Sequence, residues 1–281
     1  MNKLRKWGAM KVAIVCICYN AYDHLLKYAR SLHVALSGCT GVDFTLVVVD
    51  NSTAPADDQA LQTIAEMGFN YIYHKSPNVG YFPAFTRGVE LLSSPADFDG
   101  VAISNVDLSV SPDFFVSLQQ SMQGIDRNIG IIAPAIISLG RGADLNPKTI
   151  YRPTRFALQK NIFIFKRLWL FQIYRKLSEL KAKRPFVSYP SGMNFYSPHG
   201  SFILFTRQYF LSGALYNYPQ FLFGEENFVA EQCRRVGLKV NYQPVVKIFD
   251  DDHGSTSHEK LSFIASEHVK SLKYIVDTYH S

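Results

Sequence analysis

Apolar residues occur along this chain in short unbroken runs, each closed by polar side chains. KVAIVCICY (11–19), TLVVVD (45–50), NYIYH (70–74) and GVAISNVD (100–107) alternate with stretches at 22–36, 59–67 and 84–92 whose apolar positions recur every three or four residues. Runs of the first kind mark strands buried on both faces, and the second spacing marks amphipathic helices. Residues 11–112 therefore predict a doubly wound α/β half with right-handed crossovers. In such sheets ligands gather beyond the carboxyl ends of the strands. That rule singles out Asp50-Asn51, Asn105-Val106-Asp107 and, after FLF, Gly224-Glu225-Glu226.

The second half follows a looser rhythm. Pro112 is expected in the first turn of a helix, and IGIIAPAII (129–137) reads as a strand before a Gly- and Pro-containing linker at 140–153. Segments 199–210, 221–237 and 238–249 resume the globular pattern, and a helix over about 259–279 closes the core. Residues 1–257 are expected to form one domain, with halves at 11–112 and 113–257, followed by a terminal helix at 258–281.

Composition narrows the classes. With 47% hydrophobic and 19% charged residues in 281, the chain buries a substantial core and is not a disordered polymer. Lys11 interrupts the apolar stretch that follows Lys3, Arg5 and Lys6, so a signal peptide is not expected. Lys166 and Arg167 divide the best candidate for a membrane span. Four cysteines are too few for a disulfide scaffold, and Cys16 and Cys18 lack zinc spacing, which suggests a reducing, cytoplasmic setting.

Charge is uneven. Residues 148–184 hold eleven Lys and Arg against the single acid Glu179; taking that net +10 from the total of +6 leaves −4 for the rest. A helix at 166–181 would put Trp169, Leu170, Ile173, Leu177 and Leu180 within roughly one hundred degrees of arc. Two readings remain open for this basic helical insertion: it lies in an anionic membrane surface, or its stripe packs on the parent domain or a second subunit. Nucleic acid is not an expected partner, because the apolar residues form one stripe rather than spaced stacking platforms.

Asn105 and Asp107, two apart on an extended segment, can both face one divalent ion. ISNVDL resembles the Asp-x-Asp motif of nucleotide-sugar glycosyltransferases. With VVVDNS (47–52), NVGYFPAFTRGVE (78–90), SNVDLSVSP (104–112), GSFILFTRQYF (200–210), FLFGEENFVAEQCRRVG (221–237) and DDHGSTS (251–257), the chain resembles the inverting family 2 glycosyltransferases of Rossmann-like GT-A fold. The branch it looks most like comprises bacterial rhamnosyl-, galactosyl- and galactofuranosyltransferases.

That resemblance implies an enzyme moving a hexose or deoxyhexose from a UDP- or dTDP-sugar to a lipid-linked oligosaccharide, peripheral on the inner face of the cell membrane. It implies Tyr19, Asn20, Asp50 and Asn51 at the nucleotide, and Asn78 and Gly80 in a turn where glycine lets the backbone approach the donor. Asn105 joins them, with Asp107 and His253 at Mg²⁺ or Mn²⁺. Glu226 occupies the position of the general base, with Glu225 its neighbour. Many relatives carry another histidine where this chain has Phe249, Asp250 and Asp251, so Asp251 or Asp252 could replace it as an oxygen ligand. Two other readings stay open: a sugar-1-phosphate nucleotidyltransferase, disfavoured because CYNAYDHLL lacks a Gly-rich basic loop, and a non-catalytic carbohydrate- or nucleotide-sugar-binding protein.

Overall fold

The computed structural model describes residues 9–182, 189–251 and 260–280. In chain order the elements are β1 (Met10–Cys18), α1 (Tyr22–Ser37), β2 (Val42–Asp50), α2 (Asp58–Ala65), β3 (Asn70–Lys75), α3 (Tyr81–Glu90), β4 (Gly100–Asn105) and β5 (Leu108–Val110). Then come α4 (Phe114–Met122), β6 (Ile129–Ser138), β7 (Ala143–Asp144), α5 (Arg155–Phe165), α6 (Leu168–Ala182), β8 (Asn194–Phe195), β9 (Phe202–Thr206), α7 (Arg207–Leu211), α8 (Glu225–Arg235), β10 (Lys239–Asp250) and α9 (Leu261–Tyr279).

Among the described residues ten strands form one sheet in the order β3-β2-β1-β4-β9-β6-β10-β5, with β7 beside β6 and β8 beside β10. β1 runs parallel to β2 and β4, and β2 to β3; β9 is antiparallel to both β4 and β6. This is the expected mixed, doubly wound sheet. The period of two along β1 divides its side chains between two cores: Ala13, Val15 and Ile17 on one face, Val12, Ile14, Cys16 and Cys18 on the other. α3 presses so closely on the first face that a Cβ at Gly88 would stand 2.3 Å from Val15 Cγ1.

Topology fixes the rim where chemistry can collect. β1 has β2 on one side and β4 on the other, so strand order reverses at β1, and the parallel register pairs Cys18 with Asp50 and Ile17 with Asn105. Because β9 is antiparallel to β4, its amino end returns to the same rim: Ser104 pairs with Phe202, and Asn105 N–H donates to the Ser201 carbonyl at 2.9 Å. The carboxyl end of β10 joins them, with Asp250 opposite Leu108.

Several expectations need correction. Pro112 lies outside α4, which opens at Phe114 with Asp113 as its N-cap. Asn105 ends β4, but Val106 and Asp107 form a bend before β5, so the pair does not continue one extended segment. The end of the expected linker leads into α5, capped by Thr154 Oγ1 accepting from Ala157 N–H at 3.2 Å. α6 forms as expected, yet Trp169, Ile173 and Leu177 are exposed rather than packed on the domain. Leu170 is half-buried. The side chain of Leu180, and Asp252 and His253 in full, lie outside the described residues.

Candidate active site

The carboxyl end of β2 delivers Asp50 into a fully buried position ringed by donors. Its Oδ2 accepts from Tyr22 Oη and Tyr73 Oη, both at 2.7 Å, and from Lys75 Nζ at 3.0 Å; Oδ1 accepts from Ser52 N–H at 2.9 Å. Burial alone would raise the pKa of this carboxyl. Hydrogen bonds from Ser52, Tyr73 and Tyr22 outweigh it and hold the group below the usual value, so Asp50 is an anion at neutral pH.

Around Asp50 the strand-end loops are tied together. Asn20, at a positive φ of 51°, accepts from Thr53 and Ala54 N–H through Oδ1, at 3.1 and 3.0 Å. Its side chain thus clamps the β1–α1 loop to the β2–α2 loop, while Tyr19 is half-buried beside it. Asn51 donates from Nδ2 to the Gly80 carbonyl at 3.0 Å, and its buried Oδ1 has no partner. Asn78 is exposed and its Oδ1 accepts from Gly80 N–H at 3.3 Å. Gly80 has a structural reason of its own: φ is 97°, and a Cβ would stand 2.3 Å from the Phe221 carbonyl oxygen. The missing side chain admits the loop that leads to Glu225, with Tyr81 N–H donating to that same oxygen at 2.9 Å.

Three further acids lie along the rim. Asp107 is buried, and Asp251 N–H donates to its carbonyl at 3.2 Å. Burial, aided by the Asp251 charge, raises the Asp107 pKa against the opposing effects of His24 and the Asn105 side chain. Gly200, next to the Ser201 that pairs with Asn105, leaves room for the third: a Cβ there would lie 2.7 Å from Glu225 Oε1. Tyr81 spans the group. Its hydroxyl donates to the Gly200 carbonyl at 3.0 Å, and its pKa is pushed well up by burial and by the charges of Glu225 and Asp107.

Glu225 and Glu226 open α8 behind a left-handed Gly224, where the helix dipole favours anions. They do not share that favour equally. Burial, then the charge of Glu226, pushes the Glu225 carboxyl up to about 8, so Glu225 is largely protonated at neutral pH. Glu226 Oε2 is buried with no hydrogen-bond partner. A buried carboxyl oxygen left unpaired is costly, and a donor arriving from outside would satisfy it.

Oxygen donors from Asp107, Asp251 and Asn105 suit Mg²⁺ or Mn²⁺. Among the described residues no three His, Cys, Asp or Glu side chains form a metal-binding set. Such ions are commonly held by one or two carboxylates together with substrate phosphates, so this donor set fits a cation that arrives with a diphosphate.

Sequence reasoning missed Tyr22, Tyr73 and Lys75 around Asp50, and Gly200, His199 and Lys148 near Glu225. Lys75 closes β3 as Asp50 closes β2, so the strand-end rule could have found it. His199 Nδ1 lies 2.9 Å from Ser201 Oγ, and burial, with the charges of Lys148 and Arg141, holds its pKa well below the usual value. The Lys148 charge also acts on Glu225.

Taken together, the sheet order and this rim define a Rossmann-like GT-A fold. Its solved neighbours include GalNAc-T7 in a crystal structure with UDP, GalNAc and Mn²⁺, at a TM-score of 0.61 and 13% identity over 97% of this chain. They also include TarS of S. aureus, where residues 1–349 match at a TM-score of 0.55 and 8% identity over 96% of this chain and 72% of that one. The chain spans about half the GalNAc-T7 chain, 49% of its length. No protein-family model and no curated protein matches the sequence.

Proposed function

We propose that this protein is an inverting glycosyltransferase that moves a hexose or deoxyhexose from a UDP- or dTDP-sugar to a hydroxyl of a lipid-linked oligosaccharide, in bacterial surface polysaccharide synthesis at the inner face of the cell membrane. The observation that carries the reading is the buried, unpartnered Oε2 of Glu226, next in sequence to Glu225, which shares the Tyr81 environment with Asp107.

In this scheme the ionised Asp50, set in its ring of Tyr22, Tyr73 and Lys75, orients the nucleoside base. Asn51 Oδ1 offers a free acceptor beside it. Glu226 takes the proton of the acceptor hydroxyl as that oxygen bonds to the anomeric carbon. The bond from that carbon to the diphosphate breaks on the opposite face, the nucleoside diphosphate leaves with the electron pair, and configuration inverts. Glu225, held largely protonated at neutral pH by burial, adds little charge beside the base. A divalent cation held by Asp107 and Asp251 would offset charge on the leaving diphosphate.

The test is Glu226→Gln. Donor binding, read by calorimetry with UDP- or dTDP-sugar and Mn²⁺, is expected to stay within about twofold, while transfer and slow donor hydrolysis fall by roughly 10²- to 10⁴-fold, the usual worth of a general base. Retained transfer would remove Glu226 from the role. Donor binding with no hydrolysis by the unsubstituted protein would instead favour a non-catalytic binding protein, the reading suggested by Asn105 standing where relatives carry an acid.

A further inference from the structure

We infer that the outer face of α6 is a docking surface for an anionic lipid bilayer. Of the fourteen large hydrophobic side chains exposed on the described residues, eight lie between Tyr151 and Leu177. Scattered single exposures are ordinary, whereas a concentration of this kind marks an interaction surface.

Helix geometry separates the side of α6 that packs from the side that does not. Phe171 is 3% exposed and sits against Phe165 and His268, with ring centroids 4.9 and 6.0 Å away. At about one hundred degrees per residue, Trp169, Ile173 and Leu177 stand roughly 160° to 240° around the helix from Phe171, and Lys176 borders that arc at about 140°. The three apolar residues are 61%, 49% and 54% exposed. Aromatic and aliphatic side chains flanked by lysine suit the boundary between lipid headgroups and acyl chains.

Charge selects the occupant. Residues 151–177 contain seven Lys and Arg and no acid. Arg152 is committed to Glu231 inside the fold, but Lys160, Lys166, Arg167 and Lys176 are exposed. Arg167 also lies 3.7 Å above the centre of the exposed Phe163 ring. A second copy docked through the same face about a twofold axis would bring two segments of this same positive charge together. An anionic bilayer meets both the charge and the apolar residues. Among the described residues no helix is long and apolar enough to cross a membrane, so the contact is one of lying on the surface.

The packed side of the same helix reaches toward the acid pair. His268, which packs on Phe165 and Phe171, stacks on Phe223 with centroids 3.8 Å apart, and Phe223 is two residues before Glu225. Docking through α6 would hold the acid pair near the bilayer, where a lipid-borne acceptor resides. The inference adds a partner to the proposed transferase, but vesicle binding is measured without donor, so either can fail alone.

The experiment is co-sedimentation of the full chain with vesicles of phosphatidylcholine alone or with phosphatidylglycerol. Binding is expected to be at least tenfold stronger with phosphatidylglycerol and to weaken with salt. The exposed-site variant Trp169→Glu/Ile173→Glu should lose at least tenfold in partitioning while keeping its melting temperature and its slow donor hydrolysis. Lys166→Gln/Lys176→Gln should lose only the preference for phosphatidylglycerol. Equal partitioning of the parent and the Trp169→Glu/Ile173→Glu variant would overturn the inference. So would failure of the parent to bind either vesicle, or light scattering that shows a dimer dispersed by the same substitutions.

Discussion

At the scale of single residues the acid pair sets a pH dependence of known sign. The Glu225 carboxyl is raised in the folded chain from 4.5 to about 8, chiefly by burial. Between those values the folded state binds more protons than the unfolded one, so folding stability falls as pH rises through the window. Glu225→Gln removes the effect because glutamine pays no ionisation cost. Its melting temperature should match the parent near pH 4.5, gain steadily as pH rises, and hold a constant lead above pH 8. Parallel melting curves across that range would show that Glu225 is not held protonated. Asp50 slopes the other way: its lowered pKa contributes stability that is present above the unfolded value of 3.8 and lost as pH falls through the folded one.

At the scale of elements, the approach to α8 is unusual. Phe223 and Gly224 are both left-handed, with φ of 65° and 81°, and for a phenylalanine this conformation is strained. Two contacts hold it. Tyr218 Oη donates to the Phe223 carbonyl at 3.0 Å, and the Phe223 ring lies on His268 at an interplanar angle of 13°. Burial pushes the His268 pKa down to about 4, so the ring acts as a neutral aromatic plane. For the proposed transfer this makes His268 a candidate positioning residue for Glu225 and Glu226. His268→Ala should lower kcat for transfer by about tenfold or more, in line with the cost of misplacing a reacting group, with donor KM little changed. His268→Phe should restore kcat. If His268→Phe fails as badly as alanine while remaining folded, stacking is not what matters.

Elements also show where sequence was legible. β1, β2 and β4 were readable because strands buried on both faces must be apolar throughout, and Asp50, Asn105 and Asp107 followed as the polar residues at their ends. β5, β7 and β8 are two or three residues long and exist through pairing with β10 and β6, which no local periodicity encodes. α5 was hidden because it buries Leu158 and Phe165 yet exposes Phe156 and Phe163, blurring any single stripe. The ring around Asp50 takes Tyr22 from α1 and Tyr73 with Lys75 from β3, a meeting set by tertiary packing rather than spacing. Gly200 opens the motif GSFILFTRQYF, but nothing in the sequence told its role, which lies in the Glu225 oxygen that occupies the space of its missing side chain.

At the scale of the whole molecule, donor binding should register as global stability, because the rim draws on both halves of the sheet. Asp50 ends β2, Asp107 follows β4, Asp251 follows β10 and Glu226 opens α8. A ligand that bridges these elements binds the folded state alone, and at one hundred times its dissociation constant it stabilises by roughly 2.7 kcal/mol. For a chain of this size that corresponds to a rise of several degrees, since about 1 kcal/mol shifts a domain of 150–250 residues by about 2–4 °C. UDP or dTDP with Mn²⁺ should give such a shift, and chelation should reduce it if the cation enters with the diphosphate. Asp50→Asn separates recognition from scaffolding: it should weaken nucleotide binding by at least about tenfold, the worth of about 1.4 kcal/mol in a charged hydrogen bond. If the Asp50→Asn variant melts lower but still binds nucleotide with parental affinity, the role of Asp50 is to hold Tyr22, Tyr73 and Lys75 in place. The nucleoside would then be read elsewhere on the rim, with the free Oδ1 of Asn51 the first group to test.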